Sequence, residues 1–185
     1  MPRAGLTPAV VTRLALEELD EVGLDALTLK AVAARAGVAT PSLYKHVQSL
    51  EHLRDLMTVT VLDEAAAAIG SAVMGRSGRD ALEAFLLAYR DFAHRQPHRW
   101  GLVEPPTSAD PAVFASAAKF VEIAYAVVRG FGLAEGEEID AVRTLRAAVV
   151  GFTALERGGG YRLGRDADTS FRYLIEVLAK GLGAP

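Results

Sequence analysis

The stretch from Thr28 to Val47, "TLKAVAARAGVATPSLYKHV", constrains the fold more than any other part of the chain. Ala33 is small enough for two helices to approach each other. Four residues later Gly37 turns the chain through positive φ, which a residue with a Cβ resists. Val38, Leu43 and Val47 then supply apolar side chains that pin a second segment to the first. This spacing predicts a helix-turn-helix. Thr28 is placed to cap the first helix, and Thr40 followed by Pro41 reads as the cap and first turn of the second.

With Leu43 and Val47 facing inward at i and i+4, the residues Ser42, Tyr44, Lys45 and His46 fall on the other faces. A hydroxyl, a phenol, an ammonium and an imidazole on a short helix suit phosphates and base edges. A small helical hairpin with a solvated polar face would have the same spacing, but gives no packing reason for Tyr44.

The run "LTLKAVAARAGVATPSLYKHVQSLEHLRDLM" resembles the DNA-binding module of the TetR family of bacterial transcriptional repressors. The resemblance implies that Thr40, Ser42 and Tyr44 approach DNA with Lys45 and His46 close by, and that Tyr44 and Thr28 meet phosphates. Lys30 and Pro41 complete the candidate DNA-binding set. It also implies a homodimer on a double-stranded operator. One position departs from the pattern: Leu50 stands where members of the family usually carry a phosphate-binding lysine.

Charge sharpens that departure. The whole chain carries −3. Residues 1–54 hold Arg3, Arg13, Lys30, Arg35, Lys45 and Arg54 against Glu17, Glu18, Asp20, Glu21, Asp25 and Glu51, so the module is formally neutral. Few phosphates can then be neutralised. The expected salt dependence of binding is shallow, with a log–log slope below about 6 for a dimer.

Elsewhere the pattern is helical. Thr7-Pro8 opens a helix with Val11, Leu14, Ala15, Leu19 and Val22 at helical spacing, and Gly23 closes it. Ser49 caps a long Ala- and Leu-rich helix reaching about Met74. Amphipathic stretches follow over 80–94, 111–129, 135–157 and 169–182, and residues 95–111 read as a proline-rich loop with one short helical turn. Ala and Leu favour helix, and no alternating run suggests a sheet. The expected fold is all-α, with about nine helices. A helix-turn-helix domain (residues 1–48) precedes a helical effector-binding and dimerisation domain (49–185).

In that second domain Leu145, Val149, Phe152, Phe171, Leu174, Ile175 and Leu178 form stripes that suit a paired-helix dimer interface, or else intramolecular core. The resemblance implies the four-helix interface. Phe85, Tyr89, Phe92, Trp100, Phe120 and Tyr125 are the candidate lining of a small-molecule pocket, as the family's bundles enclose one; Phe114 lies in the same region. "RQPHRWGLV" and "GFTALERGGGY" resemble a C-terminal domain type with a Trp and a His-Gly in its motif, Val150 standing in place of the His.

Several chemistries are set aside. The chain has no cysteine, which excludes disulfides and thiolate sites. His94 and His98 lack a third ligand, and Pro97 between them disrupts the helical spacing. "GGGY" has no Gly-Lys-Ser/Thr after it. Neither a catalytic set nor a cofactor is expected. No stretch reaches about 18 uncharged apolar residues, so a cytoplasmic protein is expected. The expectation is a repressor released from a palindromic operator by a small-molecule effector, with a DNA-binding dimer lacking an effector as the alternative.

Overall fold

The computed structural model describes residues 5–103 and 108–183; Arg3 and residues 104–107 of the expected proline-rich loop lie outside them. Among the described residues there are eight α-helices, one 3₁₀ helix and no strand. The Thr7 hydroxyl accepts the Val10 N–H at 3.2 Å to open α1 (Pro8–Val22), and Gly23 closes it at φ +77°. Val11, Ala15 and Leu19 are buried as expected, joined by Thr12 and Leu16, whereas Val22 is exposed in the last turn. Thr28 caps α2 (Leu29–Ala36) through the Ala31 N–H at 3.1 Å. α3 (Leu50–Val73) starts at Ser49, whose hydroxyl accepts the His52 N–H at 3.0 Å.

Two expectations are corrected. The segment after the turn is a 3₁₀ helix (Thr40–Lys45), and its N-cap is Ala39, not Thr40. Six residues close more of their own carbonyls with i→i+3 bonds than with α-helical ones. The Ser42 N–H donates to Ala39 and the His46 N–H to Leu43, both at 2.8 Å. Within 95–111, the short turn is a seven-residue helix, α5 (Pro97–Val103). Pro97 sits at its first position, where a missing N–H costs nothing.

The remaining helices are α4 (Gly78–Arg95), α6 (Pro111–Arg129), α7 (Glu137–Arg157) and α8 (Ala167–Gly181). The chain forms two compact units: residues 1–63 with 96–117, and 64–95 with 118–185. In the first, α1 packs on α2 and α5, and α2 packs on the 3₁₀ helix. Leu19, Leu27, Val32, Leu43, Leu53, Met57 and Trp100 are buried there. In the second, α4 packs on α7 and α8 around Leu82, Leu86, Leu145, Val149, Phe171 and Ile175. α3 and α6 are long and apolar enough to cross a membrane by length and composition. They carry Asp63 and Glu64, and Lys119 and Glu122, respectively.

Candidate nucleic-acid interface

The turn between α2 and the 3₁₀ helix has the geometry that the spacing anticipates. Gly37 is left-handed at φ +67°. The Val38 N–H donates to the Ala33 carbonyl at 3.0 Å and the Gly37 N–H to Ala34 at 3.1 Å. This paired closure satisfies two carbonyls that the end of α2 would otherwise leave open. Ala33, Leu43 and Val47 are essentially inaccessible to solvent, which fixes the inner face of the second segment.

The outer face follows from that. Tyr44 is 56% exposed, Lys45 and Pro41 are exposed, and Thr40, Ser42 and His46 are half-buried. Thr28 and Lys30 are exposed at the start of α2. The Thr28 oxygen accepts the Ala31 N–H, and its own proton stays available to donate. The structure therefore gathers the eight sequence-predicted residues onto two short segments joined by one rigid turn.

Most arginines of this unit are occupied. Arg13 pairs with Glu17. Arg35 binds Glu18 at 2.7 Å and Glu21 at 2.5 Å, and those hydrogen bonds, Glu21 first, raise its pKa above the ordinary arginine value. Arg99 of α5 grips both oxygens of Asp20, at 2.7–3.1 Å. Arg54 turns a guanidinium N–H toward the Leu24 carbonyl at 3.4 Å. Among the described residues from Gly5 to Arg54, Lys30 and Lys45 are the basic side chains left to face a polyanion. A third candidate, His52, escaped the sequence reading: its Nδ1 accepts the Gln48 N–H at 3.1 Å. The signal was present, since Ser49-x-x-His52 spaces a cap and a back-reaching acceptor as a capping box does.

Residues 11–55 match the family model described as bacterial regulatory proteins, tetR family, and residues 82–178 match the tetracyclin repressor-like C-terminal domain. An uncharacterized HTH-type transcriptional regulator of Mycobacterium tuberculosis is 32% identical across 98% of this chain and 88% of its own length. The chain belongs to the TetR family. It is a transcriptional regulator with a helix-turn-helix DNA-binding domain. Its fold is shared by BioQ, solved with its natural double-stranded DNA operator (24% identity, TM-score 0.71, 98% of this chain and 100% of that one). The same holds for a TetR variant of Acinetobacter baumannii in complex with minocycline (24%, TM-score 0.70, 96% of each chain).

In this TetR-family chain the predicted pocket residues are only partly gathered. Phe85, Tyr89 and Phe120 meet ring to ring at 5.6–6.4 Å between centroids. Phe92 is buried on α4, and Tyr125 is half-buried beneath the Arg129 guanidinium at 5.9 Å. Trp100 is buried on α5, in the other unit. An open groove of about 390 Å³ runs past Arg76, Asp80, Glu83, Leu87 and Asp91, and none of the predicted aromatics lines it.

Of the two places open to the α7 and α8 stripes, dimer interface or protomer core, their burial favours the core. Leu145, Val149, Phe171 and Ile175 are at most 2% exposed, and Phe152 and Leu178 only 9%, so these stripes are the core of one protomer. Only Leu174 of the set is half-buried. The faces left open are Tyr173 (70% exposed) and Val177 (48%) on α8, and Thr144, Ala147, Gly151, Ala154 and Leu155 on α7.

Proposed function

We propose that the protein is a homodimeric repressor that holds a near-palindromic operator with Thr28, Lys30, Thr40, Pro41, Ser42, Tyr44, Lys45 and His46. On this reading residues 1–48 form the reading head, and residues 49–185 dimerise and take a small-molecule effector. The observation that carries it is the division of the 3₁₀ helix, with Leu43 fully buried and Tyr44 mostly exposed. A phenol held rigidly on the outer face of a helix-turn-helix is a phosphate or base-edge donor. Two such heads about 34–36 Å apart would read successive major grooves. The exposed small-residue face of α7 beside Tyr173 and Val177 supplies the surface for the second copy. The protein acts in the cytoplasm, where its DNA is.

Support for the effector comes from the C-terminal match and from the aromatic set Phe85, Tyr89, Phe92, Phe120 and Tyr125. An effector shifts the DNA-binding equilibrium only by its difference in affinity for the two states. The close ring packing of Phe85, Tyr89 and Phe120 favours a second reading, in which residues 49–185 only dimerise. Operator selection from random DNA, followed by binding of Tyr44→Ala and Tyr89→Ala, tests the assignment. Tyr44→Ala should lose the operator while remaining folded, and Tyr89→Ala should keep it. Normal binding by Tyr44→Ala would remove the 3₁₀ helix from the interface.

A further inference from the structure

We propose that His52 is a further DNA-contacting residue, an uncharged imidazole that donates its Nε2–H to a backbone phosphate beside the 3₁₀ helix. The inference rests on the reading of that helix as the DNA-contacting element. The Gln48 N–H donates to His52 Nδ1 at 3.1 Å. An N–H can donate only to a bare ring nitrogen, so the proton sits on Nε2 and the ring is neutral. The same bond fixes the ring against the backbone of Gln48, three residues after Lys45 and two after His46. Nε2 points away from that turn, on a half-exposed side chain whose hydrogen bonds use only Nδ1 and the backbone N–H.

The neighbourhood offers few other donors. Leu50 offers no polar group, and among the described residues Arg13, Arg35, Arg54 and Arg99 are held by acids or a carbonyl, which leaves Lys30 and Lys45. A neutral N–H adds affinity and orientation without releasing a counterion. This separates His52 from a lysine at Leu50 by measurement.

The test uses the full-length protein and a duplex recovered by selection from random DNA, read by fluorescence anisotropy over a salt series. His52→Ala should weaken binding by about a hundredfold or more with an unchanged salt slope, as expected for loss of one hydrogen bond to a charged group in each of two half-sites. Neutral methylphosphonates are then placed singly along each half-site. One of them should cost the wild type affinity and cost His52→Ala nothing further. If the alanine variant melts, His52→Glu keeps an acceptor for the Gln48 N–H, lacks the donor, and should show the same lost phosphate. Should every phosphate keep its wild-type cost in the folded variant, His52 only caps the turn and the proposal falls. Tyr44→Ala is run beside it. Normal binding by Tyr44→Ala overturns the underlying reading, whereas its failure with an unchanged His52 profile overturns this assignment alone.

Discussion

Glu156 draws the charged groups of α4, α7 and α8 to one point. It accepts two N–H bonds from Arg90, at 2.9 and 2.5 Å, and lies 2.8 Å from His94 Nε2. Arg90 also reaches Asp168 at 2.6 Å, and its guanidinium lies 4.8 Å above the Phe171 ring. Both partners of the Arg90–Glu156 pair are mostly shielded, at 14% and 12% exposure, so solvent screens them little. The Arg90 hydrogen bonds hold the Glu156 carboxyl below its ordinary value of 4.5, with His94 assisting against the opposing effect of burial. A depressed folded-state pKa contributes stability above the unfolded value, and that stability is lost as pH falls through the folded one. Glu156→Gln should therefore cost about 2 kcal/mol at neutral pH, the scale of hydrogen bonds to a charged group. The gap between wild type and variant should close as pH falls below about 4.5. Urea unfolding across that range measures it, and a gap independent of pH would show that the ionised carboxylate contributes nothing.

At the level of elements, α7 and α8 show what periodicity can and cannot reveal. The repeat of Leu145, Val149 and Phe152, and of Phe171, Ile175 and Leu178, marks a buried stripe but carries no record of which chain buries it. The structure gives those stripes to the protomer's own core and leaves the Tyr173–Val177 face open. Val177→Asp should accordingly leave the fold intact and dissociate the proposed dimer in sedimentation. Phe171→Ala should instead destabilise the protomer by about 3–5 kcal/mol through a core cavity. A Val177→Asp protein that still sediments as a dimer would move the interface elsewhere. The caps and breakers were more legible, because Thr7, Thr28, Gly37 and Ser49 act locally and need no partner to be read. α5 was obscured by prolines, since Pro97 suits a helix start as well as a loop. The 3₁₀ geometry of Thr40–Lys45 was hidden because Pro41 opens either kind of helix. Phe85, Tyr89, Phe92 and Trp100 were legible as buried residues, and whether the aromatic rings pack together or line a cavity depends on the spacing of helices that no local pattern encodes.

For the whole molecule the question is how a chain of net charge −3 holds a polyanion. The sequence alone bounds the salt slope only loosely, because formal charge does not show which cations are already paired. Pairing of Arg13 and Arg35 with acids of α1, and the inward turn of Arg54, reduce the described cations of each head to Lys30 and Lys45. A dimer then neutralises four phosphates, and at about 0.9 per phosphate the slope of log affinity against log salt should be near −4. Affinity would rest on neutral donors such as Tyr44, Ser42, Thr28 and the backbone, which are insensitive to salt. Leu50→Lys should tighten binding at low salt and steepen the slope by about 2, one added phosphate in each half-site. Titrations of the wild type and Leu50→Lys against one selected duplex test both numbers. A wild-type slope near −10 would mean that the paired arginines exchange their acids for phosphates on binding, or that Arg3 joins the interface. The variant Arg35→Gln separates these, because it flattens the slope only if Arg35 leaves Glu18 and Glu21 for the DNA.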